Sequence, residues 1–201
     1  MTNEVTTSTK SFVQREAAED IYFGQVVINW ARWFVIAAGI AMVMIMTEKT
    51  EELAIGIAPI VGLMVVNFYL HGRRLAQQPA NRNLIAISSV LDLALISSVI
   101  VIGTNGVAVG LGSQFYVAYF PVIAAFSFVM PRSFSVVYTL VAMVTYAAIC
   151  LTVENQMFPA DGTNWSHVES LITRLVVMGA VGGLASYFWR VQRERRRSSV
   201  E

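Results

Sequence analysis

Six stretches of this chain are apolar enough to sit in lipid, and that limits its fold more than any motif does. Crossing the hydrocarbon core takes about 20 mostly apolar residues at about 1.5 Å each. The windows 26–46, 53–71, 84–102, 115–130, 134–153 and 168–189 qualify. Lipid offers no partner to a backbone amide, so every such window has to be helical. With 56% hydrophobic and 13% charged residues, against about 25% charged in soluble domains, the chain reads as an integral membrane protein. The expected fold is all-α: a polytopic six-helix transmembrane bundle over residues 26–190, a cytoplasmic N-terminal segment 1–25 and a basic cytoplasmic tail 191–201.

Two windows carry finer expectations. The fourth is short and holds Pro121, and it reaches back through "VAVGLGS", which predicts a kinked helix or a broken entry. Residues 1–25 mix Lys10 and Arg15 with Glu4, Glu16, Glu19 and Asp20 and have no apolar core, so no cleavable signal is expected. Within them, 11–25 suits a short interfacial helix with Phe12, Ile21 and Phe23 toward lipid, and suits a disordered tail equally.

Charge outside the windows sets the expected direction. Lys10, Arg15, Arg73, Arg74, Arg82, Arg132, Arg190, Arg193, Arg195, Arg196 and Arg197 fall on one side, and only Lys49 on the other. By the positive-inside rule both termini then lie in the cytoplasm, giving a multi-pass protein of the bacterial cytoplasmic (inner) membrane. Trp30, Trp33 and Trp189 fall near the inner boundary and Trp165 near the outer one. A net charge of +1 gives no reason to expect nucleic acid.

Apart from Glu169, at the very edge of the last window, the charges inside the windows are Arg32, Asp92 and Arg174. Each would cost about 2.5 to 3.5 kcal/mol if left unpaired at mid-membrane. Arg32 is about 9 Å into a span entering from the cytoplasm and Asp92 about 12 Å into another, whereas Arg174 enters from the opposite face. Depth therefore predicts an Arg32–Asp92 ion pair between the first and third helices. A purely structural role, fixing helix register, suits such a pair as well as a ligand site does. Arg174 either snorkels to the outer interface, toward Glu154 or Glu169, or faces a pocket.

The remaining chemistry is sparse. "QFYVAYFPVIAAF" sets Phe115, Tyr116 and Tyr119 beside Ser113 and Gln114, enough to line a pocket with Arg174 for a quinone or other lipid-like ligand; ordinary packing explains the same residues. Otherwise no cofactor is expected. His71 and His167 sit at opposite faces and cannot sandwich one haem. Cys150 alone allows neither a disulfide nor a thiolate metal site and is read as an apolar filler. No metal site and no catalytic motif appears, and without an internal repeat a transporter is disfavoured. Gly179 and Gly183 allow close helix contact within the bundle or with another subunit, as Ala37 and Ala41 do more weakly.

"RW" at Arg32–Trp33, "LDL" around Asp92, a glycine-containing connection into "FYVAYFPVIAAF", "PRSFSVVYTLVAMVTYAA" and "RLVVMGAVGGLASYFWRVQRERRR" resemble the six-helix membrane sensor region of bacterial histidine kinases, the redox-responsive RegB type included. That resemblance covers 26–197. In the family the sixth helix continues into dimerisation and ATP-binding domains; none follows here, so no kinase activity is expected. RegB-type members bind a quinone near "GGxxNPF", where this chain has "GLGSQF" at 110–115, without the Asn-Pro. The resemblance therefore implies a non-catalytic sensory or adaptor module in signal transduction. An accessory subunit of a respiratory or photosynthetic membrane complex, or a quinone or lipid-like ligand binder, stands as the other reading. Expected partners are a homodimer or other membrane proteins, with anionic lipid held by the arginine tail.

Overall fold

The computed structural model describes residues 24–45, 50–76, 82–102, 110–153 and 165–198. Among them the chain forms six helices and no strand: α1 (Gly24–Ile45), α2 (Thr50–Leu75), α3 (Arg82–Ile102), α4 (Tyr119–Val129), α5 (Arg132–Val153) and α6 (Trp165–Ser198). Of these, α1, α3, α5 and α6 are long and apolar enough to cross a membrane. The segment 1–23, with its interfacial-helix expectation, lies outside the described residues.

The bundle keeps an apolar core, but it buries several polar side chains and turns large apolar ones outward. Arg32, Asn67, Ser88, Ser89, Asp92 and Ser97 are buried, whereas Phe34, Ile45, Val65, Val144 and Leu184 are exposed. In water so much outward apolar surface would be an aggregation liability; in lipid it is the solvated face. The outward faces thus carry the same signal as the long apolar helices, a protein built for a membrane.

α4 is the short member, and its approach is irregular. Two 3-10 turns, Gly110–Gly112 and Gln114–Ala118, precede it. Gly110 has φ 60°, a left-handed value that glycine adopts without strain, and the Ser113 hydroxyl accepts from the Phe115 amide at 3.3 Å. Pro121 falls in the first turn of α4, where its missing N–H costs little. The 11-residue helix is only about 16 Å long, so the broken entry is needed to extend the segment. It ends at Met130, whose ψ of 153° is the extended geometry that Pro131 imposes on the residue before it. α5 starts two residues later. The Ser135 hydroxyl donates to the Met130 carbonyl at 3.2 Å and ties the corner.

α6 packs against both α4 and α5, and α2 packs on α3, which in turn meets α4 and α5. α1 runs antiparallel beside α2, with Gly39 against Ile60, Gly56 against Val43, and the Trp33 ring edge-on to Phe68 at 5.4 Å. The tight glycine on α6 is Gly182. A Cβ there would lie 2.5 Å from Thr139 Oγ1 and 3.2 Å from Ile123 Cγ2. Gly183, a candidate contact by its spacing, faces open space, and Gly179 meets only the Met143 side chain, at 3.7 Å.

Thr139 is held by its own bond to the Ser135 carbonyl at 2.8 Å and cannot swing away freely. Gly182→Ala should therefore overpack the α5–α6 contact and destabilise the fold by about 1 to 3 kcal/mol. Gly183→Ala should be neutral or slightly stabilising. Melting followed by size-exclusion chromatography in detergent would separate the two; equal behaviour would contradict this packing.

Candidate functional site

Helix α1 brings Arg32 to α3 one turn beyond the point where Ser88 faces inward. The guanidinium Nε donates to Asp92 Oδ2 at 2.7 Å, and Nη2 lies 2.7 Å from the same oxygen. Nη2 also donates to Ser88 Oγ at 2.8 Å, and that hydroxyl donates onward to the Ile85 carbonyl at 2.9 Å. With exposures of 2% and 1%, the two charges are sealed from solvent, so their attraction is little screened. Both nitrogens converge on Oδ2, and among the described residues the buried Oδ1 has no partner.

Further polar groups are buried in the bundle. Tyr138 on α5 donates to the Ser89 carbonyl at 2.8 Å, one residue along α3 from Ser88, and its ring stacks on Phe126 at 4.1 Å. Asn67 on α2 is fully buried, and among the described residues neither atom of its amide has a partner. At the exposed end of this region Asn29 Nδ2 lies 3.5 Å from His71 Nδ1. Asn67 and Tyr138 are not among the residues the sequence points to. Neither is Ser88, although its four-residue spacing from Asp92 places both on one helix face.

The second candidate set divides. Arg174 turns inward: Nη1 donates to the Tyr146 hydroxyl at 2.7 Å and lies 3.5 Å from the Ser113 carbonyl. Its guanidinium carbon sits 4.1 Å from the centre of the Tyr116 ring, a cation–π contact. It has no carboxylate partner among the described residues. Glu169 is exposed and Glu154 lies outside them. Tyr119 is fully buried, shares a hydrogen bond with Ser97 at 2.7 Å and meets Tyr146 edge-on at 5.8 Å. Phe115 belongs to the core and Gln114 is exposed. Tyr146, the hub of this cluster, carries no signal in the sequence that sets it apart from its apolar neighbours.

Of the basic tail, Arg190 is exposed and lies 3.8 Å from Glu194, one turn on. The side chains of Arg193, Arg195, Arg196 and Arg197 lie outside the described residues, but their backbone continues α6. Among the described residues no group of three His, Cys, Asp or Glu side chains is placed to hold a metal ion. Comparisons with protein families, with curated proteins and with solved structures found no match to this chain.

Removing one partner of a buried pair leaves an uncompensated charge, at a cost of about 3 to 5 kcal/mol. Asp92→Ala or Arg32→Met alone should therefore abolish or severely reduce the folded fraction, whereas Arg32→Met combined with Asp92→Leu should recover most of it. Chromatographic monodispersity and melting temperature report both; a double variant no better than the singles would contradict the pairing. At the second centre, Tyr146→Phe should cost about 1.5 to 3 kcal/mol, the range for a hydrogen bond to a charged group. Adding Arg174→Met should cost less than the sum of the two single changes, because the hydrogen bond is counted once, although the contact with Tyr116 is lost too.

Proposed function

We propose that the chain is a six-span integral membrane protein of the bacterial cytoplasmic membrane, with both ends in the cytoplasm. It works as a non-catalytic sensory or adaptor module that passes the state of its bundle along α6 to a partner at the inner face. The observation that carries this reading is the continuity of α6. Its 34 residues run without a break from Trp165 to Ser198. At about 1.5 Å per residue that is about 51 Å, against a hydrocarbon core of about 30 Å. Arg174, near one end, is fixed to Tyr146 and to the segment before α4, while the other end carries the arginine-rich stretch. A rigid rod gripped inside the bundle and projecting beyond it can convey a small displacement with little loss.

The asymmetry of Lys and Arg supports the two cytoplasmic ends, and the resemblance to histidine-kinase sensor regions supports the sensory reading. The partner is a second copy or another membrane protein.

Topology and association test the proposal. Tags at either terminus should be labelled only after permeabilisation, and cysteines introduced within 103–109 or 154–164 should be labelled in intact cells; the reverse pattern would refute the orientation. Gentle extraction at native expression should give a free monomer or dimer. A stable complex of fixed stoichiometry would instead identify an accessory subunit.

A further inference from the structure

We propose that the groove between α5 and α6 binds one anionic phospholipid of the cytoplasmic leaflet, its headgroup held by Arg132 and Arg190. This rests on the membrane-spanning orientation given under the proposed function. The groove has a volume of about 690 Å³, within the range of ligand pockets, about 300 to 1,000 Å³. One end is marked by Arg132 at the start of α5 and by Arg190 on α6; the deep end is marked by Met143 and Gly179. On either helix those limits are eleven residues apart, about 16 Å of rise. Half of a hydrocarbon core of about 30 Å is about 15 Å. The groove is thus as deep as one leaflet and no deeper. A spanning helix of a second copy would need about twice that length to be seated.

The chemistry along the groove follows the same gradient. Val136, Leu140 and Met143 give an acyl chain an apolar wall, and the missing side chain of Gly183 leaves the space beside them open. Ser127, which borders the groove, has a buried hydroxyl with no hydrogen-bond partner among the described residues. At the mouth, Arg132 adds its charge to the positive N-terminal end of α5. Glu194 also lines the mouth, but at 3.8 Å its contact with exposed Arg190 is too long for a hydrogen bond, so Arg190 keeps donors for a phosphate. Trp189 lines the same end, at the level where indole rings favour the headgroup boundary.

The test uses the full chain in nanodiscs containing equal amounts of phosphatidylglycerol and phosphatidylethanolamine, released into native mass spectrometry. One phosphatidylglycerol should remain bound to each monomer, in at least tenfold preference over phosphatidylethanolamine. The double change R132Q and R190Q should abolish that preference. Gly183→Leu should fill the groove and remove the lipid while both arginines remain. If Gly183→Leu does not fold, the arginine double variant decides alone. Absence of bound lipid, equal retention of the two lipids, retention by the arginine variant, or a lipid-free dimer would overturn the proposal. Insertion is scored separately by co-elution with the disc. A chain that fails to insert would overturn the membrane reading and this one with it, whereas an inserted chain without lipid preference overturns only this one.

Discussion

A charge that cannot reach water must find its opposite, and the Arg32–Asp92 contact is where that requirement shapes this bundle. The two residues are 60 positions apart in sequence and meet at 2.7 Å. The net stability from such a pair is small, because desolvation offsets most of the attraction. Its effect is on register. Sliding α1 by one residue would move the guanidinium about 1.5 Å along the axis and turn it by about 100°, away from both Asp92 and Ser88. The contacts of α1 with α2 keep the same step: Asn29 with His71, Trp33 with Phe68, Gly39 with Ile60 and Val43 with Gly56. One expensive charge pair and a ladder of inexpensive contacts, apolar except for Asn29 with His71, therefore specify the same alignment.

α5 connects that centre to the second one. Tyr138 and Tyr146 are eight residues apart, so they share a face and are separated by about 12 Å along the axis. The first reaches α3 beside the ion pair, and the second reaches Arg174 on α6. On the opposite face Val136, Val137, Leu140, Val141 and Val144 are exposed. A helix that is polar inward and apolar outward stays in place only while its inward hydroxyls are used, so α5 couples the packing of α3 to that of α6.

Legibility in the sequence scales with the size of the penalty. The apolar windows lie within a few residues of helices α1, α2, α3 and α5, α6 runs nine residues past its window, and Pro121 with the preceding glycines foretells the irregular start of α4. A carboxylate in an apolar run is costly enough that its partner must be one of two arginines, and depth chooses between them. Asn67, Tyr138 and Tyr146 give no such signal, because neutral polar side chains are tolerated in a bundle at modest cost. Depth alone leaves Arg174 open between the outer interface and a pocket, and the rotation of α6 turns it toward Tyr146. Rotation also decides the glycines. Gly179 lies on one face with both Gly182 and Gly183, at spacings of three and four, and only the approach of Thr139 makes Gly182 the contact. Sequence spacing fixes depth along a helix far better than it fixes azimuth.

The same glycine pair explains why the α5–α6 interface is both tight and open. At Gly182 the missing side chain lets α6 come against Thr139, bringing the two axes close at one level. One residue later, about 100° around the helix, Gly183 adds nothing to fill the space on that side. A leucine at either position would produce a different interface: at 182 it would push α6 away, and at 183 it would close the groove. The opening therefore comes from local composition and not from loose packing of the whole bundle, since Met178 and Ala185, on either side along α6, are buried. An interface of this kind is close at the level of Gly182 and open on the side of Gly183, two properties set by adjacent residues of one helix.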